Sequence, residues 1–220
     1  YLMLGGDGGD SVFVRDVAVA EETVRQRMHA SDRGIVLVND RDYARHPLAT
    51  RRSLELALSH LASVMNPQED VLLVHLASHG GDDGTLRIAM PGMRLPDLAP
   101  DWFRSLLERV PVPNLVLVVS ACHAGHWLDT LATEHNMILT SARRDRTSFG
   151  CGDGSEMTWF TRAVYEQGAL ALHDPQSLFS LIRERIHVWE EEQGMAADER
   201  SEPQFHLGGR FIGVEPSPAP

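Results

Sequence analysis

The run Asn114-Leu-Val-Leu-Val-Val-Ser-Ala-Cys122-His-Ala-Gly125 is apolar almost without interruption until it stops at a thiol followed by small residues. Short, rich in Val and Leu, and led in by Pro111 and Pro113, it reads as a strand buried on both faces of a parallel sheet. Its cysteine then lies at the carboxyl end of a central strand, the edge where open α/β sheets place their ligand crevice. Val71-Leu-Leu-Val-His-Leu-Ala-Ser-His79-Gly-Gly81 repeats the construction, ending in an imidazole and two glycines. If the two strands are neighbours, thiol and imidazole face one another across a small gap.

The 220 residues suffice for one domain with a full core. Lys and Arg form no block, and the formal net charge is −11, so nucleic acid is disfavoured as a partner: phosphate binding needs a basic face. Two cysteines, Cys122 and Cys151, cannot build a disulfide framework. No apolar run approaches the roughly 18 residues that span a bilayer. The chain opens inside Tyr1-Leu-Met-Leu without a Met. The expectation is that an N-terminal part is missing, and a membrane tether would have to come from it; compartment and oligomeric state stay open.

Tyr1 to Leu4 predicts a short strand that breaks into Gly5-Gly-Asp-Gly-Gly-Asp10. That loop lacks both the GxGxxG spacing and the GKS/T ending of phosphate-binding loops. Ala18 to His29 shows helical periodicity, Gly34 to Asp40 reads as a second strand, and Thr50 to Met65 as an amphipathic helix with Leu54, Ala57, Leu58, Leu61 and Met65 on one face. Thr85 to Met90 suggests a short hairpin on the rim. Leu98 to Val110 is helical with Pro100 near its start. Trp127 to Thr133 reads as a helix, Met137 to Ala142 as a strand, and Arg143 to Gly154 as a long polar loop at the same sheet edge as the two motifs. Helices are expected at Glu156 to Glu166 and Ser177 to Glu191, then a last strand from Gln204 to Gly213 and a frayed tail after Val214. Strands alternating with helices imply an α/β fold, a mostly parallel sheet with helices on both faces, although strand order does not follow from the sequence.

A cysteine attacks a carbonyl as the thiolate, and a nearby imidazole both takes the thiol proton and later protonates the leaving amine. The N–H groups of Gly80, Gly81 and Cys122 are candidate oxyanion donors. Taken singly, Cys122 reads as an ordinary buried cysteine and His79 as a satisfied strand-end histidine. The pairing of two such strand ends is what points to chemistry. Cys122, His123 and His126 also form a possible metal-ligand set, but no partner pair lies elsewhere with suitable spacing, and neither a metal nor another cofactor is assigned. His75, an even number of positions before His79 on the same strand face, reads as core. Cys151 is open between pocket wall, plain packing and a disulfide with Cys122.

Ser78-His79-Gly80 and Ser120-Ala121-Cys122, each closing an apolar block, resemble the caspase-like group of cysteine peptidases: caspases, gingipains, separases and legumains. With Gly6-Asp7-Gly8, Val12-Phe-Val-Arg15, Leu48-Ala-Thr-Arg51 and above all Thr140-Ser-Ala-Arg-Arg-Asp-Arg-Thr-Ser-Phe-Gly-Cys151, the chain looks most like bacterial members of the legumain family, peptidase family C13. The resemblance implies a caspase-like three-layer sandwich over residues 1–213, with 214–220 a flexible tail, and hydrolysis of a peptide or protein substrate by Cys122 with His79 as general acid/base. It implies substrate contacts from Arg15, Ser120, Thr147, Ser148 and Glu156, in a pocket that suits Asn or Asp before the cut bond. A register placing Thr158 where Glu156 is proposed fits almost as well. Two departures from the family pattern stand out: Ser120 replaces an acid, and Phe13 replaces the asparagine that orients the histidine. A transpeptidase or ligase of the same chemistry and a catalytically silent binding module are the alternatives.

Overall fold

The computed structural model describes residues 1–41, 45–152, 154–168 and 170–213; the expected tail after Val214 lies outside them. Six strands form one sheet: β1 (Leu2–Gly5), β2 (Ile35–Val38), β3 (Leu72–Ala77), β4 (Leu115–Ser120), β5 (Asn136–Thr140) and β6 (Gln204–Leu207). Their order is β2-β1-β3-β4-β5-β6. All pair in parallel except β6, which runs antiparallel to β5 along one edge.

Alternation along the strands builds two cores. Leu4, Val74, Leu76, Leu117 and Val119 point to one face, where α2 (Arg51–Val64), α3 (Pro100–Arg109) and α4 (Gly125–Leu131) cover them. Met3, Leu73, Val116, Val118 and Leu139 point to the other, under α1 (Ser11–Arg27), α5 (Trp159–Thr161) and α6 (Pro175–Glu192). Every residue of β3 and β4 is buried, which is why both read as apolar runs, broken before the rim only by His75. Helices on both faces of a mostly parallel sheet make three layers.

Four expectations shift in detail. α1 starts at Ser11, seven residues before the helical periodicity, because Phe13 and Val17 turn inward while the Val-Phe-Val stretch looks extended by propensity. The helix expected over Glu156 to Glu166 is one turn, α5, that runs on as a π-helix over Arg162–Gln167; Gly168 N–H reaches back five residues to the Ala163 carbonyl. The rim hairpin is a strap across the carboxyl ends of the strands: Leu86 bridges both Gly80 and Leu98, and Ala89 bridges Asp7. The last strand stops at Leu207.

Candidate active site

β3 and β4 are paired with Ala77 opposite Ser120. His79 therefore emerges two residues past one strand and Cys122 two residues past its neighbour, and both line one narrow cleft with Phe13, Ser120, Phe149 and Thr158. Its cavity of about 10 Å3 holds roughly one water molecule. Past Cys122 the chain turns sharply: His123 has φ 56°, a left-handed conformation that costs a β-carbon residue about 1 kcal/mol or more. The turn is held by His123 N–H donating to the Arg146 carbonyl at 2.8 Å. Ser141 braces the strand end from the other side, accepting from Ala121 N–H at 2.9 Å and donating to the Ala121 carbonyl at 2.6 Å.

The sulfur lies against the 143–152 loop, where Ser148 N–H donates to Sγ at 3.3 Å and the Ser148 carbonyl stands 3.7 Å away. Gly80 lies on the Cys122 peptide so closely that a Cβ there would come 2.0 Å from the Cys122 carbonyl oxygen. Among the described residues the N–H groups of Gly80 and Cys122 have no protein acceptor, whereas Gly81 N–H is taken by the Thr85 carbonyl at 2.9 Å. Gly81 thus drops out of the oxyanion set, and Gly80 and Cys122 stay in it.

The residues expected to touch substrate are only partly brought together. Ser120 is buried in the cleft wall with its hydroxyl 3.0 Å from that of Thr158. Thr158 in turn donates to Asp16 Oδ2 at 2.7 Å and its N–H to Oδ1 at 2.9 Å. Asp16 is fully buried, and burial pushes its carboxyl up to about 6 against the pull of those hydrogen bonds. Of the two candidate registers, Thr158 lines the cleft, while the Glu156 side chain is exposed. Arg15 meets Glu156 through its backbone, Nε donating to the Glu156 carbonyl at 2.7 Å and Nη2 to that of Ser155 at 2.5 Å. Thr147 faces an adjacent groove of about 470 Å3, lined also by Arg146, Met195 and Asp198, with Phe149 as the shared wall. Cys122 and Cys151 are both free thiols on the same cleft.

Asp10, which sequence reasoning passed over, stands 2.7 Å from His79 through Oδ2 and Nε2. Phe13 meets the same ring edge-on, with centroids 4.9 Å apart. The signal for Asp10 was its place at the end of the loop that follows β1, which matters only once β1 is known to lie beside β3. Gly6 belongs to that placement: a Cβ would strike Arg87 O at 2.7 Å and Ser78 Oγ at 2.8 Å, so the glycine-rich loop serves close backbone approach. Asp7, Asp10 and His79 bring donor atoms within 4.8 Å of one another, one such group among the described residues. Arg87 Nε, 3.1 Å from Asp7 Oδ2, already supplies a cation there. His123 and His126 turn away from the thiol, to the carbonyls of Arg144 and Asp82.

The model of the peptidase C13 family matches residues 53–209. The chain belongs to the peptidase C13 family. Membership brings with it the general function, that of a cysteine peptidase acting on peptide or protein substrates. No curated protein matches the sequence. Among solved structures, caspase-1 from Spodoptera frugiperda is similar in fold, with a TM-score of 0.65 at 14% identity, over 94% of this C13 chain and 85% of that one. Among the described residues no helix is long and apolar enough to cross a membrane.

Proposed function

We propose that the chain is a legumain-like cysteine endopeptidase in which Cys122 is the nucleophile and His79 the general acid/base. Cys122 Sγ adds to the scissile carbonyl, the N–H groups of Gly80 and Cys122 receive the developing oxyanion, and His79 passes the thiol proton to the departing amine. Water then resolves the thioester. The observation that carries this reading is that thiol and imidazole rise from paired strands onto one cleft, next to two amide donors that find no protein acceptor among the described residues. Ser120, Ser148 and Thr158 line the cleft as polar contacts for the side chain before the cut bond, and Arg15, which holds the carbonyls of Ser155 and Glu156, is its cation. These groups suit Asn or Asp.

The test is labelling with an iodoacetamide probe together with a positional-scanning peptide library. Labelling and cleavage are expected to vanish in Cys122→Ala and to fall strongly in His79→Ala. Equal labelling of both variants and the wild type would remove the enzyme reading. A clean preference for Lys or Arg would remove the Arg15 assignment alone.

A further inference from the structure

We infer that Asp10 is the positioning residue of His79, holding the imidazole in the one tautomer that can take a proton from Cys122. The inference rests on the peptidase reading and adds to it a group absent from the dyad.

The carboxylate of Asp10 offers only acceptors, so the 2.7 Å contact with Nε2 requires that nitrogen to carry the hydrogen. In a neutral ring the lone pair is then on Nδ1. Nδ1 is the atom left to receive the thiol proton. The ring becomes an imidazolium whose Nε2–H still points at a negative charge, and the proton on Nδ1 goes on to the leaving amine. Phe13, edge-on at 85° to the imidazole, limits rotation of the ring plane without offering an acceptor.

The side chain of Asp10 is diverted to this contact. Asp10 is the N-cap of α1, where a carboxylate normally accepts from the first free amides of the helix, and it makes no such bond. The neighbouring carboxylate is committed elsewhere: Asp7 Oδ1 accepts from Gly9 N–H at 2.8 Å and Oδ2 pairs with Arg87. Asp7 shapes the loop, and Asp10 serves the ring.

Capping and positioning are separated by Asp10→Ser in the whole chain, because serine caps a helix as well as aspartate but is too short to reach the imidazole. Turnover would be followed on the fluorogenic peptide amide that the wild type cleaves best. The expected result is a kcat lower by roughly 10- to 100-fold with KM little changed, since the group acts on proton transfer and not on substrate binding. Formate at about 0.1 M is expected to restore part of kcat in Asp10→Ser, saturably, by supplying the missing carboxylate to Nε2. Asp10→Asn, which keeps an acceptor without the charge, is expected to fall between serine and wild type. A serine variant with wild-type kcat would show the Asp10–His79 contact to be dispensable and overturn the inference. A kcat loss matched by a rise in KM, or one that formate leaves untouched, would make its role structural and overturn the inference. A wild type with no Cys122-dependent turnover is a different failure, that of the peptidase reading.

Discussion

The backbone of Gly80 rests on the Cys122 peptide with no room for a methyl group between them: a Cβ on Gly80 would lie 2.0 Å from Cys122 O and 3.1 Å from Cys122 N. The residue after the proposed base is therefore packed on the proposed nucleophile itself, and that contact sets the width of the cleft. Gly80→Ala must push two paired strand ends apart. The expected cost is about 3 kcal/mol of stability, with loss of iodoacetamide labelling at Cys122 even where the variant folds. Urea denaturation and labelling mass spectrometry check the two effects separately.

Arg15 forks two carbonyls, those of Ser155 and Glu156. Arg15→Ala frees that segment from α1, so KM is expected to rise about tenfold with kcat little altered. Lysine has one ammonium where the fork has separate donors, so Arg15→Lys is expected to behave like alanine. Steady-state kinetics on the best library peptide decides it; unchanged KM in both variants would count against a binding role.

His75 sits in the middle of β3, fully buried, edge-on to Tyr165 of the π-helix, with neither ring nitrogen hydrogen-bonded. Burial drives its pKa down from 6.5 to about 3. The unfolded chain binds this proton at a higher pH than the folded one. The contribution of neutral His75 is thus present above pH 6.5 and is lost as pH falls toward 3. Between pH 6.5 and 4 that amounts to about 3 kcal/mol. Urea midpoints across this window should fall less steeply for His75→Leu than for the wild type.

Asp16 works in the opposite sense. Its burial raises the folded-state pKa from 3.8 to about 6, so the stability of its protonated form is full below pH 3.8 and is lost as pH rises through 6. Asp16→Asn, which can keep a bond to Thr158, is expected to be more stable than wild type at pH 8 by on the order of 2 kcal/mol and no more stable at pH 4. Equal differences at both pH values would show that Asp16 does not titrate in this range.

Cys151 is half-buried, and burial is the first cause raising its thiol pKa. Alkylation at pH 7 should therefore be slow at Cys151, because the thiolate is the reacting form. Wild type is expected to take one adduct rapidly, and Cys122→Ala none on that timescale.

What the sequence determined by itself is the material of each element and the two ends that carry chemistry. β3 and β4 are buried on both faces, so His75 alone breaks their apolar runs before the rim, and the stops at His79 and Cys122 are visible in one dimension. The helices α2, α3 and α6 were legible for the same reason, an apolar stripe against a polar remainder. Tertiary structure decided who stands beside whom. The placement of β1 next to β3 brings Asp10 to His79 across 69 positions of chain, and the folding of α5 over α1 brings Thr158 to Asp16 across 142. Neither contact leaves a local pattern, because pairing order and helix docking are settled by burial summed over the whole sheet. The same holds for α1, whose first turn carries β-favouring residues and becomes helix because Val12, Phe13 and Val17 are buried against the sheet.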